Sequence, residues 1–284
     1  DKKQFPGAVL FRLYDTYGFP LDLTADIARE RGLTIDRVGF DKEMERQRKL
    51  SKAASQFVAA TRVDLSDELA TEFVGYKALK QAAAPILNLL ANNKSSVGEL
   101  SEGEEGFIIL AKTPFYAQGG GQIGDTGYLL NATSQFLVTQ TFKEGAFILH
   151  QGKLLKGHLK KGDKLKAEVD VEKRRAITLN HSATHLLHAA LREVLGGHVM
   201  QKGSLVEPER LRFDFSHPDL LSTEQLKIIE DRVNQQIRAN LPVLTQIMSR
   251  EEARQTGALA MFGEKYADKV RVLTMGDFSK ELCG

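Results

Sequence analysis

The segment VEKRRAITLNHSATHLLHAALREVLGG, residues 171–197, has no proline and no glycine before Gly196. Its apolar residues recur at helical spacing through Ile177, Leu187, Leu191 and Val194 or Leu195. The pattern predicts one long helix closed by Gly196, and the rest of the chain has to pack against it. Three of the chain's seven histidines lie on this helix, at 181, 185 and 188.

Residues four apart on a helix project from one face and lie about 6 Å apart along the axis, so His181 and His185 meet. Zinc takes imidazole nitrogen at roughly 2.0–2.1 Å and thiolate sulfur at about 2.3 Å, and two histidines on one turn make a natural half-site. On its own such a pair is more often a satisfied polar feature of an ordinary helix than a ligand pair. HSATH lacks the glutamate after the first histidine that serves as general base in zinc proteases. His188 is one turn further on, where a straight helix does not easily bring it to the same ion, and is left to packing.

The only cysteine, Cys283, excludes an internal disulfide. It follows a predicted strand in MGDFSKELCG, in a loop that could reach the histidine helix. Alone it reads as a small buried hydrophobe. With two histidines it makes a known catalytic zinc arrangement whose fourth position is open to water, substrate or another side chain.

Around the helix the chain changes character twice. Residues 1–61 are helical: AVLFRLYDTY stops at Gly18 with Pro20 beyond, LTADIARERG runs from a Thr24 cap to Gly32, and a charged helix follows at DKEMERQRKLSKAAS. Residues 62–170 carry short β-rich runs (FIILA, QFLVTQ, AFILH, KLKAEVDV) between Gly, Asn and Ser clusters, and predict a small β-barrel. Residues 171–284 alternate helix, strand, strand, helix, strand, helix, strand. HVMQKGSLV and RLRFDFS should pair as a hairpin, and Ser222/Gln225 and Ser249/Glu252 form capping boxes. The fold class is therefore α+β, with a mainly antiparallel sheet and helices to one side.

TPFYAQGGGQIGDTGYL places five glycines within residues 119–127. Such a loop lets a backbone approach a phosphate, but it has neither P-loop spacing nor a following helix. Tight turns that need positive φ are the plainer explanation. Between Lys153 and Arg175 nine basic residues stand against four acidic ones, either a solvated strand-and-turn face or a phosphate-contacting surface. The net charge of +2 excludes neither. At 284 residues, with 42% apolar and 27% charged, a globular chain of two or three units is expected. No secretory leader or membrane-length apolar run is seen, which suggests a cytoplasmic protein.

HSATHLLHAALREVLG, HVMQKGSLVEPERLRFDFSH and MGDFSKELCG resemble successive blocks of the editing domain of alanyl-tRNA synthetases. FRLYDTYGFPLDLT is similar to the end of that family's tRNA-recognition helical region, and TPFYAQGGGQIGDTG to the barrel that opens the editing domain, although AQGGGQ stands where the family more often has Glu-Ser before the last two glycines. The resemblance covers almost the whole chain. It implies a hydrolase that removes serine or glycine wrongly attached to tRNA(Ala), with Zn(2+) bound by His181, His185 and Cys283. The family's fourth ligand is a histidine in a Cys-Gly-Gly-Thr-His motif that extends past Gly284. The resemblance also implies that Thr184 contacts the serine side chain, that Gln201 supports editing, and that Gly119, Gly120, Gly121 and Gln122 lie at the substrate. In the residues alone, Thr184 equally back-bonds its helix and Gln201 equally sits exposed on a strand. ATP-dependent aminoacylation belongs to upstream motifs of the family that do not occur here. The alternative is a tRNA-binding module that is catalytically incomplete.

Overall fold

A computed structural model describes residues 4–17, 19–46, 70–258 and 268–283. They fall in two units, Asp1–Asp64 and Leu65–Gly284. In the first, β1 (Gln4–Phe5) precedes α1 (Gly7–Tyr17) and α2 (Leu21–Glu30), and β2 (Thr34–Ile35) returns to pair with β1 in parallel. Thr24 is not the cap of α2. Pro20 occupies the N-cap with φ −59°, so its fixed backbone starts the helix earlier than the hydroxyl suggests. The Thr24 hydroxyl donates to the Pro20 carbonyl at 3.1 Å. A third helix, α3 (37–46), begins ahead of the charged run. Asp36 explains the early start, because its carboxylate accepts from the Gly39 N–H at 2.8 Å. The rest of that run, and the expected junction at 61/62, lie outside the described residues.

The second unit opens with β3 (Glu72–Phe73), β4 (Lys80–Ala91), β5 (Ser96–Val97), β6 (Glu99–Ser101), β7 (Glu105–Leu110) and β8 (Lys112–Thr113). It continues with β9 (Gly127–Leu130), β10 (Gln135–Glu144), β11 (Phe147–Lys156), β12 (His158–Lys160) and β13 (Lys164–Val169). Strands β13, β9, β10, β11, β7 and β4 pair in that order, all antiparallel, and β4 returns to β13, which closes the expected barrel. Alternation does the sorting: Leu165, Ala167 and Val169 of β13 join Leu129, Phe136 and Val138 in the core, while Lys164 and Lys166 point to solvent. Much of the basic run is thus the outer half of a barrel strand and its turns, with Lys166 paired to Glu168 and Lys160 to Glu99.

The long helix forms as the pattern predicts: α4 (Val171–Leu195) starts at an Asp170 cap and ends at Gly196, whose φ is 115°. Next come the hairpin β14 (Gln201–Val206) and β15 (Leu211–Phe215), then α5 (Thr223–Ala239), β16 (Val243–Ser249), α6 (Arg250–Gln255), β17 (Lys269–Met275) and β18 (Ser279–Cys283). Both capping boxes are present. Ala190 and Leu191 of α4 pack with Ile229 of α5, Val199 and the hairpin's Phe213 and Phe215.

Two expectations for this region are corrected. β16, β17 and β18 form a three-stranded antiparallel sheet, and among the described residues the hairpin does not join it. Its helices lie on both faces. Val270, Val272 and Leu282 point to α6, whereas Glu281 and Cys283, out of phase with Leu282, point to α4. Cys283 accordingly sits on a strand and not in a loop. Among the described residues no helix is long and apolar enough to cross a membrane.

One buried ion pair ties α4 to the barrel. Arg174, in the first turn of α4, meets Asp125 through both carboxylate oxygens and donates to the Gly75 and Pro114 carbonyls at 3.0 Å each. The Asp125 side chain is 1% exposed and also accepts from the Tyr116 N–H at 2.7 Å. Breaking a buried pair by removing one partner leaves an uncompensated charge and costs about 3–5 kcal/mol. Arg174→Met should therefore lower the unfolding free energy of the chain by that amount in a urea titration. A loss below about 1 kcal/mol, the range of a surface pair, would show that the contact is not structural.

Candidate metal centre

His181, His185 and Cys283 come together across 102 residues of sequence, their ligand atoms all within 4.8 Å of one another. The helix supplies the two imidazoles as neighbours, stacked with ring centroids 5.3 Å apart. The strand supplies the sulfur, which lies 3.5 Å from Nε2 of His181. Each imidazole is held by its other nitrogen. Nδ1 of His181 is 2.6 Å from Oε1 of Gln122, and Nδ1 of His185 is 2.6 Å from Oε2 of Glu281. An amide oxygen and a carboxylate only accept, so both Nδ1 atoms carry a hydrogen and both Nε2 atoms are left to face the sulfur.

Charge and burial fit a cation. Burial opposes ionisation of the Cys283 thiol, but the neighbouring imidazoles of His181 and His185 overcome it and lower its pKa to about 6. Burial likewise opposes protonation of His185, yet the Cys283 sulfur and the Glu281 carboxylate raise its pKa to about 9. Nε2 of His185 is buried with no partner at hydrogen-bonding geometry, an orphan that a metal ion would satisfy. Two imidazole nitrogens and a thiolate, each imidazole oriented by an outer acceptor, fit a zinc ion with a fourth position left open.

Glu281 is the residue that sequence reasoning missed. It is 1% exposed, and its second oxygen takes Nδ1 of His188 at 2.8 Å. His188 therefore does more than pack: it clamps the carboxylate that orients His185. The sequence signal is slight, a glutamate two residues before the cysteine and so on the same face of its strand.

The remaining expected site residues are placed differently. Gln122 reaches the centre through His181. Gly119, Gly120 and Gly121 do not line the cavity beside it: Gly119 and Gln122 bond each other's backbones, and the Gly121 carbonyl accepts from Val206 N–H at 2.8 Å. A Cβ on Gly121, whose φ is +81°, would come within 2.1 Å of Ser204 Oγ. Glycine is thus needed there for the turn and for close docking on β14. Thr184 is buried and its hydroxyl donates to the Asn180 carbonyl at 2.8 Å, the local back-bond. Gln201 begins β14 opposite Phe215, and its Oε1 is buried without a partner. Neither Thr184 nor Gln201 is among the cavity-lining residues.

With all three donors kept, Glu281→Gln is expected to weaken zinc binding about 10- to 100-fold, read by competition with a chromogenic chelator; an unchanged affinity would remove the carboxylate from the site. Zinc must also displace the proton that His185 holds up to a pKa of about 9, so affinity of the unsubstituted chain should rise with pH toward that value.

Residues 1–173 match the family described as tRNA synthetases class II (A), which takes in the helical unit, the barrel and the first residues of α4 but not the histidines. Curated relatives match across them. The alanine–tRNA ligase of Coxiella burnetii (strain Dugway 5J108-111) is 55% identical over 284 residues, 99% of this chain and 32% of its own length. Those of Nitrosococcus oceani and Pseudomonas fluorescens are 54% and 55% identical over 280 residues, 98% of this chain and 32% of their own. The chain spans about a third of the length of these relatives. A match over more than half of its residues, together with relatives at this identity, shows that the chain belongs to the class II tRNA synthetase family.

Proposed function

We propose that the chain is the proofreading hydrolase of an alanyl-tRNA synthetase, deacylating tRNA(Ala) that carries serine or glycine, at a zinc ion held by His181, His185 and Cys283. The observation that carries this reading is the donor triad itself, with its orphaned Nε2, opening on a cavity of about 610 Å3. That volume suits a small ligand such as an esterified nucleoside.

The need for such a site is physical. A pocket shaped for alanine cannot sterically exclude glycine and discriminates weakly against a side chain that only adds a hydroxyl, so a second sieve is required. Zinc bound here would supply a Lewis acid for the ester carbonyl or a water. The protein's own groups do the rest. Gln122 and Glu281 hold the two Nε2 atoms in register, and Cys283, as a ligand thiolate, is withheld from nucleophilic attack. No acyl-enzyme is therefore expected. Burial pushes the Tyr116 phenol at the cavity wall up to about 12, which keeps it neutral and able to donate a hydrogen bond to the substrate.

Cys283→Ala should reduce bound zinc and hydrolysis of Ser-tRNA(Ala) together, the latter by at least about 100-fold, the scale of losing a Lewis acid. Hydrolysis at the unsubstituted rate in metal-free protein would overturn the reading. Background hydrolysis with tRNA affinity that survives chelation would instead identify an RNA-binding module.

A further inference from the structure

The cavity over the triad has a charge pattern that the zinc reading does not use. Among the described residues no aspartate or glutamate lines it, while three arginines do: 174, 175 and 271. Arg174 is occupied by Asp125 and two carbonyls. Arg175, one residue on, is exposed and has no carboxylate partner among the described residues. Arg271 pairs directly across the sheet from Cys283, so both side chains rise from the same face of adjacent strands. Its guanidinium lies over the ring of Tyr76, 4.5 Å from the centroid. Tyr76 is 61% exposed, and its edge is fixed against Phe73 at 5.0 Å.

A guanidinium stacked on a fixed, exposed aromatic ring makes a planar wall, the surface on which unpaired nucleobases stack. A second guanidinium, Arg175, in a cavity lined by no carboxylate among the described residues, favours an anion. Leu79, Val171, Leu179 and Leu273 supply apolar lining between them. We propose that this cavity is a nucleotide subsite: the base of the RNA's 3′-terminal nucleotide lies against the Arg271–Tyr76 wall and Arg175 pairs with its 5′ phosphate, placing the 3′ ester toward the triad. The subsite rests on the hydrolase reading for the identity of its ligand, but its binding residues are separate from the metal donors.

The test uses uncharged RNA minihelices of the tRNA(Ala) acceptor stem, one complete and one lacking the 3′-terminal nucleotide. Removing that nucleotide should weaken binding to the unsubstituted chain about 10-fold, the scale of one base stack. Tyr76→Leu and Arg271→Ala should each weaken the complete RNA about 5- to 10-fold while leaving the shortened RNA unaffected. Arg175→Ala should reduce the slope of log Kd against log salt for the complete RNA by about 0.7, the value for one phosphate contact on a single strand. Zinc content should be unchanged in all three, which separates loss of the subsite from loss of fold or metal. Equal binding of the two RNAs, or variants that weaken both equally, would overturn the subsite whatever the zinc result. Normal discrimination in a protein that holds no zinc would overturn the metal reading and leave the subsite standing.

Discussion

The contact between Asp125 and Arg174 decides where everything else in the second unit stands. A carboxylate and a guanidinium removed from water are tolerated only when every donor and acceptor finds a partner. Here the carboxylate takes Arg174 and the Tyr116 N–H, and the guanidinium takes the Gly75 and Pro114 carbonyls as well. Three separate stretches of chain, at Gly75, at Pro114 to Tyr116 and at Asp125, are therefore fixed relative to the first turn of α4. The loop that supplies Asp125 also supplies Gln122, which aims His181. A single docked loop thus sets both the direction of the helix and the tautomer of His181.

Helix and strand then meet in matching steps. Four residues of α4 advance about 6 Å, and two residues of a strand advance nearly 7 Å. His181 and His185 on one element consequently face Cys283 and Glu281 on the other, in reverse order. The near-equality of the two repeats gives each histidine its own partner, the first a sulfur and the second a carboxylate. A shift of β18 by one residue would turn both partners to the α6 side and put Leu282 against the imidazoles. The hydrophobic set that includes Val270, Val272 and Leu282 opposes that slip, so packing on one face of the sheet specifies the chemistry on the other.

What was legible in the sequence follows from range. The long helix, its Gly196 stop, both capping boxes, the hairpin and the barrel strands are written in local spacing and turn residues, and they appear as expected. The two histidines could be paired from their four-residue interval. Thr24 misled because Pro20 starts its helix earlier, and the single sheet misled because nothing local tells a separate hairpin from an adjoining one. Asp125 with Arg174, Gln122 with His181 and Glu281 with His185 depend on register between elements 49, 59 and 96 residues apart, which periodicity does not encode. The glycine loop reads from its residues as tight turns, and at Gly121 the positive φ bears this out; what the spacing does not reveal is the close approach to β14, where Ser204 leaves no room for a Cβ.

On the proposed reading the cavity has to serve two tasks that would otherwise conflict. A site that binds RNA needs fixed positive charge, yet cations crowded against the imidazoles would disfavour the state in which they carry protons or a metal ion. Arg174 lies two helical turns from His181 and is neutralised by Asp125, while Arg271 shares its charge with the face of Tyr76. The positive potential is thus set along the wall, and among the described residues the anions beside His185 are the Cys283 sulfur and Glu281, which are the groups that hold positive charge in place there. An ester whose nucleotide is anchored along that wall would reach the triad without any carboxylate of the cavity lining to repel it, and positioning of this kind lowers the barrier of a step that develops negative charge on oxygen.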